Sequence, residues 1–209
     1  TLLRAKLSHD LRIIRMNLFS WVEGIAVPER VCLFIDGSNL YNSLAELGKP
    51  VNLSFAKLSR ELAGSGQLIQ TYYYNSPLPS PRRSDPDATA REAERRKQQR
   101  FFDALRFVPQ LTVRRGRLQR LPSGELVEKK VDVMLATDML LLAFREVYDT
   151  AVLVSCDADY AYAVEAVKNE KGRRVVLATV AGAKSYDLRT VCDDHLAIDD
   201  SMIARCLHP

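Results

Sequence analysis

The sequence predicts an α/β protein built on a mainly parallel, doubly wound sheet flanked by helices, and three observations predict it. Val31-Cys32-Leu33-Phe34-Ile35 is an unbroken apolar run, the signature of a strand buried on both faces. Ala151-Val152-Leu153-Val154 repeats it. Each run finishes within three residues in an aspartate, and strand and helix patterns alternate along the chain, which calls for right-handed crossovers. The 209 residues, 47% of them hydrophobic, suffice for one well-packed domain with an appendage.

In chain order, Leu3, Leu7, Leu11, Ile14, Leu18 and Val22 recur at helical spacing and make residues 2–24 an amphipathic helix closed by Gly24 and Pro28. Residues 1–28 are therefore set apart from a domain of residues 29–209. That helix either packs on the outside of the domain or serves a homodimer or protein partner. After the first strand, residues 39–47 read as a helix ended by Gly48-Lys49-Pro50, and Ser54 opens a second that stops at Gly64-Ser65-Gly66. Residues 67–75 form a tyrosine-rich strand. A proline-rich stretch, 78–86, precedes a long charged helix, 87–107. Residues 111–120 and 125–130 alternate apolar and polar about Leu121-Pro122-Ser123-Gly124, which predicts an inserted β-hairpin.

Val133, Ala136, Leu140 and Ala143 are expected to face the core from the next helix. The strand at 152–155, a helix at 160–169 stopped by Gly172, a strand at 174–180, a helix at 185–193, a strand at 196–198 and a terminal helix from Ser201 complete the pattern.

Several function classes are disfavoured. A net charge of +4 does not by itself signal nucleic acid. Cys32, Cys156, Cys192 and Cys206 have no zinc or redox spacing and read as reduced structural thiols of a cytoplasmic protein. No apolar run is long enough to span a bilayer, so no membrane role is expected. Gly182-Ala183-Lys184-Ser185 lacks the glycines of a phosphate-binding loop. Asp36 has no second aspartate two residues on, which disfavours an aspartyl-phosphate phosphatase.

The carboxylates carry the positive reading. Open α/β sheets bind ligands at the carboxyl ends of their strands, where Asp36, Asp157 and Asp159 fall, and Asp132 begins the helix after Lys129-Lys130-Val131. Carboxylates gathered at one rim repel, and a cation relieves them. Oxygen ligands without His or Cys select Mg²⁺ or Mn²⁺, held by Asp36, Asp132 and Asp157. Hydrolysis of a phosphodiester uses such a site best. An aspartate after a strand can also be a plain helix cap, and Asp159 fits either role. Asn39 can serve the metal water or a turn, Ser155 a phosphate or the fold alone. Asp138 is left as a supporting or structural acid.

Basic charge concentrates in the middle of the chain. The long helix can satisfy its arginines internally. Arg114, Arg115, Arg117 and Arg120, with Lys129 and Lys130, have few acids in sequence beside them, and a hairpin bearing them would clamp a phosphate backbone. Stacking of bases on outward members of Tyr72-Tyr73-Tyr74 is a weaker expectation.

Together these residues resemble the NYN domain family, in particular its LabA-like branch within the PIN-like nucleases. Phe34-Ile35-Asp36-Gly37-Ser38-Asn39-Leu40 is similar to the opening motif, and Lys130-Val131-Asp132-Val133 with Asp138 to the middle one. Leu153-Val154-Ser155-Cys156-Asp157-Ala158-Asp159-Tyr160 is similar to the third, and Ser185-Tyr186-Asp187-Leu188 through Asp193 to the closing helix. The resemblance implies a Rossmann-like sheet and a metal-dependent ribonuclease, with catalysis at Asp36, Asp132, Asp157 and Asp159. Asn39, Ser155, Lys130, Arg114, Arg115 and Arg117 would bind RNA. Cys156 departs from the family, which commonly has glycine there, so the backbone must tolerate a side chain. An RNA-binding or regulatory module with little cleavage, and a DNA-directed nuclease or small phosphodiesterase, remain open beside this reading.

Overall fold

A computed structural model describes residues 27–82, 85, 87–121 and 126–208; the predicted N-terminal helix lies outside them. The described residues form eight strands: β1 (Arg30–Asp36), β2 (Gln67–Asn75), β3 (Leu111–Arg115), β4 (Arg117–Arg120), β5 (Leu126–Lys129), β6 (Thr150–Val154), β7 (Arg174–Val180) and β8 (Asp194–Ile198). The helices are α1 (Gly37–Glu46), α2 (Phe55–Ala63), α3 (Ala88–Leu105), α4 (Val131–Phe144), α5 (Ala161–Lys171), α6 (Tyr186–Val191) and α7 (Asp200–Cys206), with a 3-10 turn at Ala158–Tyr160. Six strands form one sheet in the order β3-β2-β1-β6-β7-β8, every pair parallel. The predicted fold class is the observed one, and the two aspartate-ended strands are neighbours.

Why β1 reads as continuously apolar is visible in its packing. Successive side chains of a strand point to opposite faces. Val31, Leu33 and Ile35 enter a core beneath α1, α2, α3 and α7, while Cys32 and Phe34 enter a second core beneath α4, α5 and α6. The same parity sends Asp36 toward the α4 and α5 side.

Two expectations need correction. Residues 111–115 are not an arm of the hairpin: Leu111–Arg115 is the parallel edge strand of the main sheet, and Gly116 separates it from the antiparallel β4–β5 pair. Alternation alone cannot tell an edge strand from a hairpin arm. Helix α4 meets its predicted phase only in part: Ala143 is buried and Leu140 packs partly buried against the core as expected, but Val133 does not face it. It buries Val131, Leu135, Met139 and Ala143, while Val133 is 70% exposed. Apolar residues cover most of this helix, so periodicity could not choose a face; Val131, fixed beside Gly116, does.

At the amino rim of the sheet, the Arg30 guanidinium donates to both Asp149 oxygens at 3.0 and 2.7 Å, and Arg173 donates to the same carboxylate at 3.1 Å. This rim is closed by internal ion pairs. At the carboxyl rim, Asp36 and Asp132 have no ion-pair partner among the described residues.

Gly37, where β1 turns into α1, is required by close approach. A Cβ there would lie 2.2 Å from Cζ of Tyr73, a buried ring packed edge-on against Phe55 at 4.9 Å. Gly37→Ala is expected to cost about 1–3 kcal/mol through overpacking, read as a lower midpoint in urea denaturation; an unchanged midpoint would show that Tyr73 yields freely.

Candidate active site

Asp36 ends the central strand and is 4% exposed. One carboxylate oxygen accepts the backbone N–H of Asn39 at 3.0 Å, so Asp36 caps α1. The other accepts the Tyr160 hydroxyl at 3.0 Å, and the same hydroxyl lies 3.3 Å from Oδ1 of Asp132. Tyr160 thus stands between acids 96 residues apart in sequence. A hydroxyl has one proton and cannot fully serve two acceptors. With Asp36 protonated, its own O–H can donate to the tyrosine oxygen while the tyrosine proton goes to Asp132.

Burial is the main cause that pushes Asp36 up from 3.8 to about 6, opposed by the Asn39 and Tyr160 hydrogen bonds and reinforced by the charges of Glu128 and Asp132. Burial first, then the neighbouring carboxylates of Asp36 and Asp132, raises the Tyr160 phenol far above its ordinary range. Tyr160 is therefore a permanent neutral donor. Asp157 adds to the same field, so its charge is felt there too.

The remaining candidate residues mostly hold the rim together. Asn39 accepts the backbone N–H of Cys156 through its side chain at 2.9 Å, which latches the end of β1 to the loop after β6. The buried Ser155 hydroxyl accepts the Asp157 amide at 3.1 Å. Asp157 accepts the Asp159 amide at 3.0 Å and caps the 3-10 turn, while Asp159 is exposed. The backbone of Cys156 lies outside the left-handed region, so the departure from glycine carries no strain of that kind. Its thiol is raised, chiefly by burial.

Lys130 does adopt that region, with φ 78°, directly before α4. Strain in a non-glycine residue costs of order 1–3 kcal/mol and persists where the surroundings impose it. Here it turns the hairpin into α4 and sets Asp132 in the first helical turn, while Lys130 itself is exposed.

Two residues escaped sequence reasoning. Glu128, on β5, accepts the Ser38 hydroxyl at 3.2 Å and brings a further carboxylate toward Asp36 from the inserted hairpin. Tyr160 closes the third motif and begins the predicted helix, and neither position points to a link with Asp36. Neither has a local signal, because both acquire their roles from pairing across the fold.

The arginines divide. Arg114 donates to Asp138 at 3.1 Å, and Asp138 also accepts the Tyr74 hydroxyl at 2.9 Å. The Arg114 and Arg115 guanidinium groups lie 5.8 Å from the Tyr72 ring centroid and 5.0 Å from that of Phe102. Arg120 pairs with Asp85 at 3.3 Å. Arg117, Lys129 and Lys130 are exposed and have no ion-pair partner among the described residues. The three tyrosines are not a stacking platform: Tyr73 and Tyr74 are buried, and Tyr72 stacks on Phe34 at 5.6 Å.

Among the described residues no group of three or more His, Cys, Asp or Glu side chains is placed to hold a metal ion, so Asp36, Asp132 and Asp157 do not form a ready three-carboxylate cage. The donors at the rim nevertheless suit a hard cation in kind. They are all oxygens, and Mg²⁺ is commonly bound by one or two carboxylates completed by waters and substrate phosphates.

A parallel α/β sheet with one buried carboxylate, Asp36, and further acids at its carboxyl rim carries them where this architecture places its ligand sites. The chain belongs to the NYN domain family, whose match spans residues 30–199 and whose fold is that of the PIN-like nucleases. The crystal structure of VPA0982, a protein of unknown function from Vibrio parahaemolyticus, is similar to it with 21% sequence identity and a TM-score of 0.64, covering 85% of this chain and 97% of that one. That likeness concerns the fold. No curated protein matches the sequence. No helix among the described residues is long and apolar enough to cross a membrane.

The Asp36 pKa makes a prediction about stability. Between about pH 4 and about 6 the folded chain keeps a proton that the unfolded chain has released, so stability falls as pH rises through that window and the loss is complete above it. Asp36→Asn, which retains an oxygen acceptor for Asn39, is expected to raise neutral-pH stability by up to roughly 3 kcal/mol, with the gain vanishing near pH 4. Urea denaturation at the two pH values checks it; a destabilised variant at neutral pH would show the carboxylate to be compensated.

Proposed function

We propose that this chain is a metal-dependent endoribonuclease, of the LabA-like branch, in which Asp36 and Asp132 hold Mg²⁺ or Mn²⁺. We take residues 29–209 as its nuclease domain and residues 1–28 as a separate N-terminal segment available to a partner or a second copy. The observation that carries the reading is the buried Asp36 carboxylate, costly to ionise and yet set against Asp132. Proteins retain such a cost where function requires it. When bound, the cation supplies Lewis-acid charge for the phosphodiester and lowers the pKa of a water that attacks phosphorus.

The chain's own residues do the positioning. Tyr160 spaces Asp36 from Asp132 and stays protonated. Asn39 ties the loops that carry Asp36 and Asp157, and Ser155 fixes the Asp157 backbone. Asp157 and Asp159 add negative field at the rim, and Glu128 closes it from the hairpin. Lys130, with Arg117 beside it on the hairpin, offers unpaired positive charge to the RNA backbone. The four free cysteines suit a reducing, cytoplasmic setting.

A second reading, an RNA-binding module with little cleavage, is favoured by the Tyr160 hydroxyl standing between the two carboxylates. The two readings separate on labelled single-stranded RNA. The nuclease shortens it with Mg²⁺ or Mn²⁺, loses activity to a chelator, and falls at least 100-fold in rate as Asp36→Asn, on the scale by which removed charge-stabilising groups are felt. In parallel, Mn²⁺ raises the melting temperature of the native protein more than that of the variant. RNA that is shifted but never shortened across both metals would establish the binding module instead.

A further inference from the structure

The predicted phosphate clamp lies on one flank of the carboxyl rim, and much of it is committed to protein partners. The other flank carries a cation that no sequence pattern singled out. Helix α6 packs against the 3-10 turn that follows Asp157. From its exposed face Arg189 donates to Nε2 of His195 on β8 at 3.1 Å. Nε2 also lies 2.8 Å from the hydroxyl of Thr179, which is 2% exposed near the carboxyl end of β7.

These contacts fix the imidazole. An arginine can only donate, so Nε2 must present its lone pair, and the ring proton sits on Nδ1. Partial desolvation, and then the Arg189 charge, push the His195 pKa down. His195 therefore orients the guanidinium without neutralising it. Arg189 has no carboxylate partner among the described residues, and its charge reaches the thiol of Cys156, the residue before Asp157. A positive group held at the imidazole Nε2, whose single lone pair it shares with the buried Thr179 hydroxyl, beside an acidic rim, suits an anion.

Resting on the nuclease reading above, we propose that Arg189, oriented by His195 and Thr179, contacts a backbone phosphate of the RNA on the β7–β8 side of the site. A strand crossing the rim would then meet Lys130 and Arg117 on one flank and Arg189 on the other. His195 and Thr179 are positioning residues. Because the contact is to phosphate, it favours no base.

The test measures binding of a labelled single-stranded RNA to the full chain carrying Asp36→Asn, so that cleavage does not intervene, over a series of salt concentrations. Arg189→Ala is expected to reduce the slope of log affinity against log salt by about 0.7, one released counterion on a single strand, and Arg189→Lys to retain it. His195→Leu weakens binding in the parent but adds nothing to Arg189→Ala, whereas His195→Gln, which keeps an acceptor, binds as the parent does. An unchanged slope in Arg189→Ala, with RNA still bound, overturns this inference and leaves the nuclease reading standing. Failure of the Asp36→Asn chain to bind RNA at any salt removes both.

Discussion

The arrangement depends on holding the Asp36 carboxylate at the end of the central strand, out of water and near other acids. Desolvating a charge is costly unless it is paired and hydrogen-bonded. Here it receives hydrogen bonds from a backbone amide and a phenol, and no ion-pair partner among the described residues. Much of the local design follows. Strand parity turns Asp36 toward α4 and α5, Gly37 lets α1 begin beside the Tyr73 ring, and Asn39 fastens the neighbouring loop through the Cys156 amide. Each is a small requirement. Together they fix one side chain.

The two rims of the sheet treat their carboxylates differently. At the amino rim, Arg30 and Arg173 converge on Asp149 and hold its pKa below the usual carboxylate range, chiefly through the Arg30 hydrogen bonds. The carboxyl rim gathers Asp36, Asp132 and Asp157 around a neutral hydroxyl, with Glu128 approaching from β5. A fold seeking stability alone would pair these groups as it pairs Asp149.

The strands were legible because β1 and β6 are buried on both faces and announce it in composition; β7 and β2 fall where the residues put them. Helix α4 was legible as a helix but only partly in phase, Ala143 and Leu140 falling on the core and Val133 outside it, since exposed positions such as Leu141 and Phe144 are apolar too. That Asp36 and Asp132 lie near one another was legible because one ends a strand and the other starts a helix at the same rim. The roles of Glu128 and Tyr160 were not. A glutamate in a four-residue strand and a tyrosine after an aspartate look like ordinary surface and core until pairing across the fold brings them to Asp36. The partner of Arg114 was hidden for the same reason: Asp138 lies 24 residues on.

The comparison of Asp132 with Asp138, on the same helix, shows what the tyrosine contributes. Asp138 meets both a phenol and a guanidinium, and its charge is answered within the protein. Asp132 meets the phenol of Tyr160 alone among the described residues. A lysine in place of that tyrosine would satisfy both Asp132 and Asp36 while cancelling the field they create. A phenylalanine would leave the buried Asp36 oxygen without its donor. A phenol whose pKa is driven far upward by burial and by those same carboxylates does neither: it donates at any physiological pH and carries no charge of its own. It orders the two acids and leaves their negative charge uncancelled at the rim, which is the condition under which a cation has reason to bind.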